Sequence, residues 1–241
     1  MKAVILAGGL GKRLDPFTTV MPKPLLPIGE KTILEIIIQR LKMFDCDEVI
    51  IATNYKSDLF ERYFRAIPDL GVKITFSKEK TPLGTAGPIK LVSHLLTEPF
   101  IVMNGDIITT LDFKKMMNIH RKKKAKVTMA TTVVQIPLHY GVVKSNDGFT
   151  VHSITEKPMM TAEVNGGIYI VEPEMIKEIP KGFFHMTDLV AKLLKKKHKV
   201  VKYRIDDYWL DIGQTHNYAK AQQDFAGLDF FSHRRKNGSK K

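Results

Sequence analysis

A glycine loop followed by two cations, with a third cation set between prolines, opens this chain in a pattern suited to holding a polyphosphate. The first residues, MKAVILAGGLGKRLDPFTTVMPKPLLPIG, place Ala7, Gly8, Gly9 and Gly11 directly after an apolar run ending at Leu6, then Lys12, Arg13 and Lys23. Residues with so little side chain let the backbone approach a ligand, and successive amide N–H groups in such a loop can face phosphate oxygens. Arg13 adds a forked, permanently charged donor set, while Lys12 and Lys23 are compact cations on flexible stems. Two familiar phosphate motifs do not account for the pattern. A P-loop needs Ser or Thr after Gly-Lys, but Gly11-Lys12 is followed by Arg13, and Leu6 stands where its first glycine belongs. The dinucleotide fingerprint fails as well, because Leu14 occupies the place of its third glycine. An ordinary tight turn between strand and helix is the alternative on the glycines alone.

The acids supply what that loop lacks. Asp106 lies in Asn104-Gly105-Asp106, just after an apolar run at 100–103, and ligands in open α/β sheets gather outside the carboxyl ends of strands. A carboxylate there could hold Mg²⁺ against phosphate oxygens; the alternative is an Asx turn ending a strand. Asp211 sits in the apolar stretch Tyr208-Trp209-Leu210-Asp211-Ile212-Gly213, before the last helical pattern. One or two protein carboxylates plus phosphates and water suffice for Mg²⁺, so Asp106 and Asp211 would be enough, unless Asp211 merely accepts amides at a helix start. Glu156-Lys157-Pro158 and Asn165-Gly166-Gly167 could meet a second phosphate and sugar hydroxyls. Read alone, they are more readily a charged turn and a glycine bulge. No histidine pair has zinc-ligand spacing.

The elements that must position these residues alternate. Strand-like runs at 2–6, 49–53, 72–76 and 100–103 are separated by helical patterns at 32–44, 58–66, 86–96 and 113–123, the first opened by the capping box Thr32-x-x-Glu35. From residue 127 the texture turns to β, at 127–134, 141–144, 149–154 and 167–171, with Asn146-Asp147-Gly148 as a hairpin turn. A helix at 187–197, a strand at 200–205 and a helix at 215–226 follow. The expectation is one α/β domain, residues 1–231, with a mixed and mainly parallel central sheet, and a basic tail at 232–241.

Composition narrows the classes. A net charge of +13 invites a nucleic-acid reading, but five of the positive charges lie in the last ten residues. The runs at 121–124 and 195–199 fall at predicted helix ends, where cations complement the dipole. No aromatic residues interleave with them as single-strand binding would require, so no nucleic-acid partner is expected. The single cysteine, Cys46, excludes an intrachain disulfide and fits a reducing, cytoplasmic setting. No stretch approaches the length of a membrane span, and no membrane partner is expected. The pair Phe230-Phe231 is a candidate subunit contact for a homo-oligomer.

Taken together, the motifs resemble the sugar-1-phosphate nucleotidyltransferase family over nearly the whole chain. LAGGLGKRL with MPKPLLPIG is similar to that family's nucleotide-binding signature, with Lys12 where Thr is common; PLGTAG (82–87), NGD (104–106), YGVV (140–143), EKP (156–158), NGGIY (165–169) and YWLDIG (208–213) follow in order. The resemblance implies a Rossmann-like, glycosyltransferase A-like three-layer fold. It also implies that a sugar 1-phosphate attacks a nucleoside triphosphate to give a nucleotide-sugar and pyrophosphate. It assigns Leu6, Ala7, Gly8, Gly9, Gly11, Lys12, Arg13, Lys23, Glu79, Gly84 and Thr85 to the nucleotide, with Arg13, Lys23 and Asp106 carrying catalysis. Gly141, Glu156, Lys157 and Asn165 fall to the sugar phosphate, and Asp106 and Asp211 to Mg²⁺. The family's base-recognition position falls at Glu79, whose carboxylate can accept both guanine N1–H and the 2-amino group, which favours GTP. The likeness is greatest to small bacterial guanylyltransferases, and it implies the catalytic core alone, without the acetyltransferase or regulatory extensions of some relatives. Thymidylyl or uridylyl transfer, or a noncatalytic nucleotide-binding relative, are the rival readings.

Overall fold

The computed structural model describes residues 1–227 together with Phe230 and Phe231, so the basic stretch 232–241 lies outside the described residues. In chain order the elements are β1 (Lys2–Leu6), α1 (Phe17–Val20), β2 (Pro27–Ile28), β3 (Lys31–Thr32), α2 (Ile33–Lys42), β4 (Glu48–Thr53), α3 (Ser57–Ala66), β5 (Lys73–Lys78), α4 (Gly87–Leu91), β6 (Phe100–Asn104), β7 (Ile107–Thr109) and α5 (Phe113–Lys122). There follow β8 (Val127–Pro137), β9 (Val142–Ser145), β10 (Val151–Thr155), β11 (Met159–Val171), α6 (Met186–Lys195), β12 (Val200–Arg204), β13 (Trp209–Asp211) and α7 (Thr215–Gly227).

Seven strands make the central sheet, in the order β12-β8-β11-β6-β1-β4-β5. All but β11 run in one direction. Because strand side chains alternate, each central strand feeds two cores. Ala3 and Ile5 of β1 and Ile101 and Met103 of β6 join the core beneath α2, α3 and α5, whereas Val4, Phe100 and Val102 join the one beneath α4 and α6. The result is three layers, as a Rossmann-like α/β arrangement requires. No helix of the described residues is long and apolar enough to cross a membrane.

Helix α2 shows how local sequence and long-range contacts reinforce each other. The Glu35 amide donates to Thr32 Oγ1 at 3.2 Å and the Thr32 amide to Glu35 Oε2 at 2.7 Å, completing the predicted capping box. The Tyr63 hydroxyl donates to the same Glu35 oxygen. At the other end the buried Arg40 guanidinium donates to the carbonyls of Thr110, Leu111 and Phe230 at 2.9, 3.3 and 2.8 Å. This ties α2 to the loop after β7. Phe230 is itself buried, edge-on to Tyr208 and stacked near Phe225, so it is spent inside the fold and does not serve the subunit contact expected of Phe230-Phe231.

Other departures from the sequence reading have local causes. The pattern at 86–96 divides into α4 and a short 3₁₀ turn at Ser93–Leu95, since Val92 leaves helical geometry; a β-branched residue followed by serine has little helix preference. The strand expected at 167–171 is the end of the much longer β11, whose largely exposed first half pairs with the extended β8. The basic runs lie at the ends of α5 and α6, as predicted. Removing the capping hydroxyl with Thr32→Ala should lower stability by about 1 kcal/mol, read as a reduced urea midpoint with an unchanged slope.

Candidate functional site

The cleft forms where β5, β4, β1 and β6 reach their carboxyl ends. Beyond β1 the Ala7 amide still bonds the Ala52 carbonyl at 2.8 Å, after which the chain leaves the sheet as the glycine loop. Gly11 has φ +67°, and a Cβ there would lie 2.9 Å from Thr18 Cγ2, so glycine is required by both conformation and space. Thr18 Oγ1 donates toward the Gly11 carbonyl and toward Asp15, pinning the loop, and buried Leu14 anchors the turn that carries Lys12 and Arg13. Both of those cations are exposed toward the opening. The cleft holds about 480 Å³, and every residue assigned to the nucleotide from sequence lines it, as does Asp106.

Glu79 lies immediately after β5, its amide held by the Thr53 carbonyl at 2.8 Å. It is only 6% exposed, which excludes a solvated loop acid between two lysines. One carboxylate oxygen accepts from the Leu83 amide at 3.0 Å. The other lies against Gly8, where a Cβ would come within 2.7 Å of it. Burial raises the Glu79 pKa above the ordinary carboxylate value more than the Leu83 hydrogen bond lowers it.

The glycines of PLGTAG have a different purpose from those of the first loop. Gly84 has φ +75°, and a Cβ on it would sit 2.6 Å from the Phe184 carbonyl oxygen; one on Gly87 would sit 2.6 Å from that of Gly182. They admit the neighbouring chain. Thr85 Oγ1 accepts the Met186 amide at 2.8 Å, satisfying a donor in the first turn of α6 from outside the helix. This brings Phe183 and His185 to the cleft wall, residues the sequence reading did not select. Their distance along the chain from Thr85 leaves no spacing signal.

The acids meet through a small second sheet. β13 pairs antiparallel with β7, placing Asp211 opposite Ile107, and the Ile212 amide donates to the Asp106 carbonyl at 2.9 Å. Lys23, 7% exposed, holds Asp106 Oδ2 at 2.5 Å. Oδ1 of Asp106 and Oδ1 of Asp211 are both buried without a hydrogen-bond partner. Burial, then repulsion from Asp106, raise the Asp211 pKa, against the pull of Lys23 and Arg13. Two acids pressed together in this way, each with an unpaired oxygen, form a donor set that fits a hard divalent cation completed by phosphate oxygens and water. Among the described residues no cluster of three or more His, Cys, Asp or Glu could hold a metal ion without such help.

The sugar-phosphate candidates divide. Asn165 accepts the Gly167 amide at 3.0 Å, at a register shift in β11, and Gly167, with φ +68°, is pressed against Asn104 and Ile107 beside the acids. Gly141, Glu156 and Lys157 stand apart from the residues lining the cleft. A Cβ on Gly141 would lie 2.9 Å from Glu156 Oε2, and Lys157 is 3.8 Å from Glu156, with both side chains largely exposed. The structure does not bring these three into the cleft.

Comparison with known proteins agrees with this architecture. Residues 2–227 match the family model described as Nucleotidyl transferase. A mannose-1-phosphate guanylyltransferase catalytic subunit beta from Danio rerio is 37% identical over 90% of this chain, which spans 62% of that relative's length. HddC from Yersinia pseudotuberculosis, solved also in complex with GMP-PN, superposes with a TM-score of 0.74 at 30% identity, covering 93% of this chain and 99% of the other. A putative glucose-1-phosphate thymidylyltransferase from Bacillus anthracis shares the fold, with a TM-score of 0.75 at 24% identity over 95% of this chain and 96% of that one. A family match over nearly all the described residues, together with a glycine loop and paired acids at one end of a mainly parallel sheet, shows that this chain belongs to the nucleotidyl transferase family.

Proposed function

We propose that the protein transfers a nucleotidyl group from a nucleoside triphosphate, GTP by preference, to a sugar 1-phosphate, releasing pyrophosphate and forming a nucleotide-sugar for surface-glycan precursors. The observation that carries this reading is the Lys23–Asp106–Asp211 group beside the glycine loop, with two unpaired carboxylate oxygens. In this reading Leu6, Ala7, Gly8, Gly9 and Gly11 approach the triphosphate, and Lys12, Arg13 and Lys23 offset its charge. Asp106 and Asp211 would hold Mg²⁺. The chemistry such an ion would supply is charge neutralisation of the phosphates. A reducing cytoplasm, which the single cysteine suits, is the proposed setting.

The nucleophile needs no general base. A phosphomonoester has a second pKa of about 6, so at neutral pH its oxygens are already mostly ionised. The barrier is electrostatic: two polyanions must meet while charge builds on the departing pyrophosphate. Positioned cations therefore supply most of the acceleration, and Lys23 is suited to this because Asp106 and burial fix its ammonium in place. Arg13→Ala and Asp106→Ala should each reduce pyrophosphate release on the order of 10²-fold or more. Near-normal release from both would contradict the assignment. A matrix of four triphosphates against mannose 1-phosphate and other sugar 1-phosphates, with and without Mg²⁺, tests the reaction class directly.

Glu79 supports guanine. Its buried carboxylate lines the cleft beside Gly8, and a guanine edge offers it two N–H donors, whereas uracil or thymine would present a carbonyl. Such a mismatch leaves buried polar groups unpaired and discriminates strongly. The Danio rerio relative named for guanylyl transfer and the GMP-PN complex of HddC point the same way. Glu79→Gln should therefore weaken GTP selectivity relative to UTP and dTTP; an unchanged preference would contradict the role.

The raised Glu79 pKa gives this role a pH signature. Accepting from guanine requires the ionised acid, so GTP affinity should decline on acidification at a higher pH than an ordinary carboxylate would dictate, and Glu79→Gln should lack that decline. In the ligand-free protein the dependence reverses. The folded state binds this proton more tightly than the unfolded chain does, so the stability it contributes is fully present below the unfolded pKa and is lost as pH rises through the folded one. Thermal unfolding of wild type and Glu79→Gln should therefore diverge toward neutral pH, with the variant the more stable.

A further inference from the structure

The basic runs at 121–124 and 195–199 each read in sequence as the end of a separate helix, but the fold joins them. α5 and α6 lie on opposite faces of the sheet, and the strands that follow them, β8 and β12, pair in parallel and start side by side at Val127 and Val200. The Lys126 amide donates to the Lys199 carbonyl at 2.8 Å. Adjacent strands lie about 5 Å apart, so where the runs meet they fall within one Debye length, about 10 Å at 0.1 M salt. Val127 and Val200 stand in line, through Val171, with Phe100 at the start of β6, whereas the cleft lies beyond Asn104 at its end. The joined patch therefore occupies the end of the sheet opposite the cleft. Lys126, Lys192 and Lys196 are paired with Glu174 and Glu178. Arg121 to Lys124, with Lys195, Lys197 and Lys199, are exposed and have no carboxylate partner among the described residues. Both helices also end in the same backbone motif. The Ala125 and Lys124 amides reach back to the carbonyls of His120 and Arg121 at 3.0 and 2.9 Å, and the His198 and Lys197 amides to those of Leu193 and Leu194, both at 2.9 Å. This puts Lys124 and Lys197 at φ +50° and +58°, in the left-handed position that glycine usually fills.

We propose that this patch docks the protein, peripherally and reversibly, on an anionic lipid surface. Folding alone gives no reason for the patch. A helix dipole is complemented within the last turn, yet both runs continue past it, and unpaired like charges from two helices repel across their junction. Lysine at two left-handed positions adds backbone strain that glycine would avoid. The surplus cations suit a surface that offers many negative charges and asks for little geometry. All of the unpaired cations except Arg121 are lysines, point charges on flexible stems, whereas directional phosphate recognition favours the arginine fork. No exposed aromatic side chain lies in either run to stack a nucleic-acid base. Leu194, 56% exposed, stands immediately before Lys195, an apolar side chain of the kind that enters the headgroup layer between basic neighbours. A contact of this kind needs no membrane-spanning helix, and it leaves the cleft open to solvent at the far end of the sheet. Each basic residue near an anionic bilayer raises partitioning on the order of five-fold, so the patch is sufficient for reversible binding.

Flotation of the full chain with vesicles tests this, comparing phosphatidylglycerol mixed with phosphatidylcholine against phosphatidylcholine alone. Wild type should float with the anionic vesicles, stay behind with the neutral ones, and be released as salt is raised. Lys122→Gln/Lys124→Gly/Lys195→Gln/Lys197→Gly should lower partitioning on the order of 10²-fold. The pair Lys124→Gly/Lys197→Gly separates docking from folding. Glycine is at ease at both positions, so the thermal midpoint should hold or rise while partitioning still falls on the order of 10-fold. A wild type that ignores anionic vesicles, or floats equally with neutral ones, would overturn the proposal. So would undiminished partitioning of the four-residue variant, which would place the attraction on the basic stretch 232–241 or elsewhere. Tighter binding of a single-stranded RNA than of anionic vesicles at the same salt, lost in the same variant, would assign the patch to nucleic acid instead.

Discussion

The structure depends on holding two carboxylates together against their mutual repulsion. Asp106 and Asp211 come from distant parts of the chain, each has a buried oxygen without a hydrogen-bond partner, and burial and then Asp106 raise the cost of ionising Asp211. Nothing in such a pair favours folding by itself, so the scaffold must impose it. It does so through backbone hydrogen bonds. β13 pairs with β7, the Ile212 amide holds the Asp106 carbonyl, and the Tyr208 carbonyl accepts from both the amide of Thr110 and the hydroxyl of Thr109. Arg40 fastens the loop after β7 to α2, so the small sheet is braced from beneath by a buried helix. Lys23 offsets one acid, and the remaining unpaired oxygens define where a cation and its phosphate ligands belong.

The same logic of imposed proximity governs the other wall. Glu79 is kept in the cleft by β5, which continues as far as its partner β4 does, and by the Leu83 amide. Beyond it, PLGTAG is tied by backbone bonds to the segment entering α6. The nucleotide cleft thus lies between two charge arrangements of opposite character. Cations and Asp106 line it after β1 and β6, and a single buried carboxylate, Glu79, lines it after β5. The proposed guanine triphosphate would match that division, with N–H donors at one end and negative charge at the other.

Much of this was legible from sequence because it is local. The apolar run before the glycines fixes β1, the Thr32–Glu35 pair fixes the start of α2, and the ordered motifs of the family place almost every cleft residue. What escaped was long-range. β7 and β13 are three residues each, too short for a periodic signal, and only their pairing brings Asp211 to Asp106. Phe183 and His185 reach the cleft through contacts with a loop far away in sequence. Gly84, assigned to the nucleotide by resemblance, does line the cleft, but its missing side chain, like that of Gly87, gives room to the chain at 182–184. Phe230 with Phe231 reads in sequence as an apolar pair available for a subunit contact, whereas Tyr208, Phe225 and the Arg40 guanidinium pack against Phe230 inside the fold.

The central claim is that Asp106 and Asp211 form one cation site completed by the triphosphate. Calorimetric titration of Mg²⁺ into the protein in the presence and absence of GTP tests it most directly, comparing wild type with Asp211→Asn. The account predicts Mg²⁺ uptake that is strong only with GTP present and is largely lost in the variant. Uptake that is independent of GTP, or undiminished when Asp211 is replaced, would contradict it.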